Sequence, residues 1–227
     1  MALNTLLVQR RLGALAGVAF IVLFIVGIAL EGSEPKLTAT AAKVTSFYAS
    51  HHSKVLVADV LIAVAFVSLV IWAAVLAGEL RAAGQHAGAG ALLASVGSVA
   101  AVAVVAAAAE IGLDQAAVRS TDPGFIHGGY LIESYVTVLL FLFIVAAAGA
   151  TALTSAGLFP VWYRWLTGLV GVLAILGGIS VKASGFFSPM GGATAISGVA
   201  AWVWVLATSV LLLRAPPTAA NAQVANV

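Results

Sequence analysis

The chain has no cysteine among its 227 residues. That excludes disulfides, thiolate metal sites, iron–sulfur clusters and cysteine nucleophiles. Charge is nearly as scarce: ten Lys and Arg with eight Asp and Glu make 8% of the chain, where a soluble domain carries about 25%. A water-soluble globule, a disordered chain and a nucleic-acid binder all need more charge than this. Strand-period alternation is missing, which excludes a closed membrane barrel. There is no G-x-S-x-G, no phosphate-cradling loop, no Rossmann fingerprint and no H-E-x-x-H.

What is present is apolar. Hydrophobic residues make 63% of the chain, and the mean hydropathy is +1.14. Six runs stand out, at 12–30, 55–77, 90–109, 134–154, 165–181 and 196–213. Each approaches the length of about 20 residues that crosses a hydrocarbon core of about 30 Å. The expected fold is all-α, a six-transmembrane-helix bundle. The expected organisation is a single domain over 1–214 and a disordered tail over 215–227, where Pro216, Pro217 and an Ala/Asn-rich end follow Arg214. The first run, 19 residues long, exceeds the 7–15 of a signal-peptide core and reads as an uncleaved helix.

The connections alternate between long and short, so one face carries three substantial loops and the other carries turns and both termini. In the first long loop Leu37, Ala41, Val44, Phe47, Tyr48 and His51 recur at helical spacing. A helix at the outer interface over 38–54 follows, capped by Thr38 and running into the second span. Gly13 and Gly17 make a G-x-x-x-G, which favours close helix approach. The third run is so rich in Ala, Gly and Ser that it is expected at the centre of the bundle.

Basic residues divide five and five between the faces. Those abutting span ends, Arg11, Arg164 and Arg214, lie on the short-loop face. Position near span ends sets orientation, so both termini are expected to be cytoplasmic. Seven of the eight acids lie on the other face, all but Glu79.

Ionisable groups at membrane depth are costly and usually face the bundle interior. Asp59, Glu110, Asp114 and Glu133 gather at the long-loop end and are the candidate acid, base or ligand groups. Asp59 sits among Val57, Ala58, Val60 and Leu61, as a proton donor, ligand anchor or relay, or in a structural ion pair with Lys182. Glu110 and Asp114 are four residues apart on one helix face. They suit an acid–base pair or a hard cation, or simply pair with Arg119 and solvent. His51, His52, His127, Tyr130 and Lys182 are expected around the same pocket. The pattern assigns no metal and no cofactor. The Trp residues and Tyr163 read as belt or packing groups, and the opposite half of the bundle offers little polarity beyond Ser and Thr.

Several short motifs go together: Arg10-Arg11-x-Gly13 before the first span, Tyr48 in the outer loop, Leu80-Arg81 at a span end, and Leu158-Phe159-Pro160-Val161-Trp162 before a Gly-rich span. Over most of 10–213 the layout resembles a family of small bacterial, often actinobacterial, polytopic membrane proteins of unknown function. The resemblance implies the helical fold and a bacterial cytoplasmic-membrane address. It implies no activity and no catalytic residues. The expected partners are membrane lipids and a lipophilic small molecule, with an oligomer compatible and nucleic acid excluded. Three functions stay open: an outward-facing acidic/His pocket that binds or transforms a lipophilic small molecule, a small proton-linked transporter, and a non-catalytic accessory subunit.

Overall fold

Runs of Ala, Leu, Val and Ile leave the backbone one economical way through lipid, with every hydrogen bond closed inside its own segment. The computed structural model describes residues 2–119 and 122–214, with side chains from 7 onward. It contains α1 (Ala2–Glu31), α2 (Ala41–Ala82), α3 (His86–Val118), α4 (Pro123–Thr154), α5 (Val161–Gly178) and α6 (Gly192–Arg214). No strand occurs among the described residues. All six helices are long and apolar enough to cross a membrane, so the protein is an integral multi-pass membrane protein. The expected tail over 215–227 lies outside the described residues, as does Thr121 of the second long loop.

The helices pack in chain order around a ring, α1 against α2 and onward to α6, with α6 closing on α1. α2 also packs against α4. α3 packs chiefly on α2 and α4, so the expectation that it forms the centre is corrected. Its small residues serve a different end. Ala103, Ala106 and Ala107 are buried on the inner face, while Val104 and Val105 face outward. Short side chains on that inner face leave space inside the ring.

The helix expected over 38–54 is present and continues into the second span without a break. Its cap is Thr40 instead of Thr38: the Thr40 hydroxyl oxygen accepts from the Lys43 backbone N–H at 3.4 Å. At 1.5 Å per residue the 42 residues of α2 rise about 63 Å, twice the hydrocarbon core. The first turns of α2 therefore stand beyond the span. There Val44, Tyr48 and Val55 join Leu113 and Ala117 of α3 and Ile126 and Tyr130 of α4 in a small apolar cluster. The larger cluster runs through the rest of the bundle.

The G-x-x-x-G acts as expected. A Cβ at Gly13 would meet the Val75 side chain at 2.7 Å, and one at Gly17 would overlap Trp72 of α2 and Ser209 of α6. These two glycines let α1 seat directly on both neighbours.

Candidate functional site

The ring surrounds a partly open cavity of about 570 Å³. Glu31, Glu34, Asp59, Glu110 and Glu133 line one end of it. Phe20, Phe24, Phe66 and Phe141 line its middle with Trp202, whose ring centroid is 5.8 Å from that of Phe24, and Trp72 and Trp204 line its deeper part. Thirteen residues of α2 separate Asp59 from Trp72, which makes the cavity about 20 Å long by helical rise. It is a slot, acidic at the long-loop end and aromatic toward the short-loop end. α1, α2, α3, α4, α6 and the turn Pro189–Gly191 form its walls, and among the described residues no Lys, Arg or His lines it.

Local structure explains how each acid arrives. Gly32 takes a positive φ of 86° just after α1, and its N–H caps the Ile28 carbonyl at 3.1 Å. This left-handed turn, natural to Gly, reverses the chain. Pro35 and Leu37 are buried, so the returning loop lies over the end of the bundle. The Tyr130 hydroxyl pins it by donating to the Pro35 carbonyl, and also lies 3.5 Å from Glu34 Oε2. Carboxylate oxygens of Glu31, Glu34 and Glu110 consequently all lie within 4.8 Å of one another. Asp59, only 2% exposed, adjoins Glu110 from α2. The Tyr48 hydroxyl donates to Glu110 Oε1 at 3.4 Å.

Two buried carboxylate oxygens of the cavity lining, Glu31 Oε1 and Asp59 Oδ2, meet no N–H or hydroxyl donor among the described residues; these acids hydrogen-bond only to neighbouring carboxyls, Glu31 to Glu34 and Glu110 and Asp59 to Glu110. Glu34 lies between α1 and α2, outside the spans. Burial, reinforced by the neighbouring Glu110 charge, raises its carboxyl from 4.5 to about 7. Hydrogen bonds from Glu31 and Tyr130 act in the opposite direction and only partly offset this.

Of the acids singled out in the sequence, Asp59, Glu110 and Glu133 line the cavity. Asp114 does not; it is fully buried beside them and paired with His52 Nδ1. The proposed pairing of Glu110 with Asp114 as one cation site is therefore corrected, because Glu110 turns toward Glu31 and Glu34 instead. Tyr130 holds the loop over the site. His51 stacks on Phe47 with ring centroids 4.7 Å apart and lies outside the lining. His127 is half-buried and also outside it, with Nε2 lacking a partner. Lys182 and Arg119 are exposed, and neither forms an ion pair with Asp59, Glu110 or Asp114 among the described residues. Lys182 thus leaves the pocket set.

Glu31 and Glu34 line the acidic end of the cavity, and reasoning from sequence passed over them. Glu31 closes an apolar run, and Glu34 sits between Gly32-Ser33 and Pro35. The turn composition is the one local sign that the chain doubles back there.

The short-loop end also departs from expectation. Arg10 and Glu79 form a buried ion pair with Nη2 to Oε2 at 2.6 Å. Trp204 Nε1 donates to the Tyr163 hydroxyl at 3.1 Å, and that hydroxyl shares a 2.8 Å hydrogen bond with Thr208. Trp72 packs edge-on against Trp204 at 5.4 Å. Trp162 and Trp165, by contrast, are exposed and suit an interfacial belt. Comparison with known proteins finds no matching family, no matching curated protein and no matching solved structure.

Proposed function

We propose that the protein binds an elongated lipophilic small molecule in the slot, with the molecule's apolar chain among the aromatics and its head at the carboxyl groups. The observation that carries this reading is the polarity gradient of one cavity: five carboxyl side chains at one end, four Phe and three Trp beyond them. Concave, mostly apolar sites with a few convergent polar groups are the usual form of small-molecule sites. A lining without Lys, Arg or His disfavours an anionic head and suits one that donates hydrogen bonds or carries positive charge. An accessory subunit would need no such cavity and would have each acid neutralised by a neighbour. A transporter needs polar groups along a path, and the deeper slot is aromatic.

The protein belongs, on this reading, in a bacterial cytoplasmic membrane with both termini inside, so that the acidic end faces outward. The resemblance to small bacterial polytopic proteins and the arginines at the short-loop span ends support that address.

The test uses the full chain in nanodiscs of zwitterionic lipid. Spin-labelled alkylamine and spin-labelled fatty acid of equal chain length are titrated, and tryptophan emission is followed. Saturable quenching by the amine, weakened in Glu110→Gln, is the expected result. Equal, non-saturating quenching by both chains would show partition into lipid only and overturn the reading.

A further inference from the structure

We propose that Glu31, Glu34 and Glu110, with Asp59 beside them, bind one hard divalent cation of the calcium, manganese or magnesium class. This site goes beyond the lipophilic ligand, and because it uses the carboxyl groups that hold the ligand's head, an ion there and a positively charged head compete for them.

The geometry comes first. Oxygens of the three glutamates all lie within 4.8 Å of one another. Ligand oxygens on opposite sides of a calcium ion, each at 2.3–2.6 Å, are about 5 Å apart, so one ion reaches all three. Smaller magnesium needs about 4 Å across and a modest closing of the set.

A group of acids alone is a common surface feature. Here the acids are interior. Glu31 is 6% exposed and Asp59 2% exposed. Each presents a buried oxygen that no N–H or hydroxyl donor of the described residues meets and that only neighbouring carboxyls approach, and each lines the cavity. A buried carboxylate oxygen left unsatisfied costs free energy unless a proton or a cation meets it. Among the described residues the lining contains no basic residue to supply that charge. The nearby imidazole of His52 is committed to Asp114.

The donor set then selects the class of ion. It is all carboxylate oxygen, which suits hard cations and lacks the imidazole or thiolate that zinc and copper favour. Tyr48 and Tyr130 steady the ligands from behind, through Glu110 and through Glu34 with the Pro35 carbonyl. Hydrogen bonds of this kind orient metal ligands. An ion here ties the end of α1, its following turn, α2 and α3 into one unit.

The test is manganese binding by the purified full chain in an uncharged maltoside detergent after chelator treatment. The free-manganese electron paramagnetic resonance signal reports binding directly. One equivalent should bind, calcium should displace it, and Glu31→Gln and Glu110→Gln should each weaken binding at least tenfold. Asp122→Asn, an exposed acid elsewhere on the same face, should bind as wild type. Tryptophan emission and size-exclusion elution establish that each variant is folded; if Glu31→Gln is not, Glu34→Gln, at the less deeply buried member of the set, takes its place. Absence of stoichiometric binding overturns the proposal. So does binding that persists unchanged in folded Glu31→Gln, Glu34→Gln and Glu110→Gln, or a site that prefers zinc to both calcium and manganese.

Discussion

Arg10 clasps Glu79 through two parallel hydrogen bonds of 2.6 Å, Nε to Oε1 and Nη2 to Oε2. The pair joins α1 to α2 at the end of the bundle opposite the acids. Both side chains are almost wholly buried. Removing one partner of a buried ion pair leaves the other charge uncompensated, at about 3–5 kcal/mol. Glu79→Ala should therefore lower the thermal midpoint of the detergent-solubilised protein strongly. The double variant Arg10→Met/Glu79→Leu should recover most of the loss, because an apolar pair of similar volume carries no stranded charge. A Glu79→Ala protein as stable as wild type would show that the clasp contributes nothing.

The close seating of α1 gives a second prediction. A Cβ at Gly17 would fall 2.6 Å from Trp72 Cδ1 and overlap the Ser209 hydroxyl. Gly17→Val should push α1 away from α2 and α6 and cost about 1–3 kcal/mol, as overpacking usually does. Trp72 emission should shift with it. Gly78→Ala is the control, since nothing lies within 4 Å of its added methyl, and it should leave the unfolding midpoint unchanged or slightly raised. Equal effects of the two substitutions would count against the packing argument.

The same residues show what was readable from sequence. The six spans and the Gly13–Gly17 contact are local properties, set by hydropathy and by i, i+4 spacing, and the structure has them. Asp59, Glu110 and Glu133 could be placed at one end because helix direction alternates with each turn. Which way a side chain points around its helix is a long-range matter. Lys182 and His127 lie at the correct level yet outside the cavity lining. Glu34 reaches the site through a fold-back fixed by Tyr130, 96 positions away, which no local pattern encodes. Arg10 and Glu79 are 69 positions apart, and the pair was hidden for the same reason. The helix over 38–54 had the correct period, but its cap lay two residues further on, where Thr40 meets the Lys43 N–H.

Occupancy of the slot can be tested without touching a carboxyl group. Ala103 is 4% exposed and lines the cavity midway between the acids and the Trp residues. Ala103→Leu should fill that narrow region. Saturable quenching by the spin-labelled alkylamine should fall at least tenfold, while manganese binding at Glu31, Glu34 and Glu110 stays as in wild type. Loss of both activities together would mean that the substitution disturbs the bundle and does not merely block the slot.

The last prediction concerns pH and follows from Glu34. Burial raises its carboxyl from 4.5 to about 7 in the folded protein. The folded state therefore holds a proton that the unfolded chain has already released between those two values. Stability falls with rising pH wherever the folded state binds more protons. Metal-free protein should accordingly be most stable below about 4.5, as far as this group decides it, and should lose stability up to about 7 before levelling off. Glu34→Gln should flatten that part of the profile. A cation inverts the slope, because binding displaces the proton and strengthens as pH rises through the same window. Thermal midpoints between pH 4.5 and 8, with calcium and with chelator, should diverge as pH increases, and the gap should shrink in Glu34→Gln. Parallel profiles with and without calcium would remove Glu34 from the site, whatever else binds there.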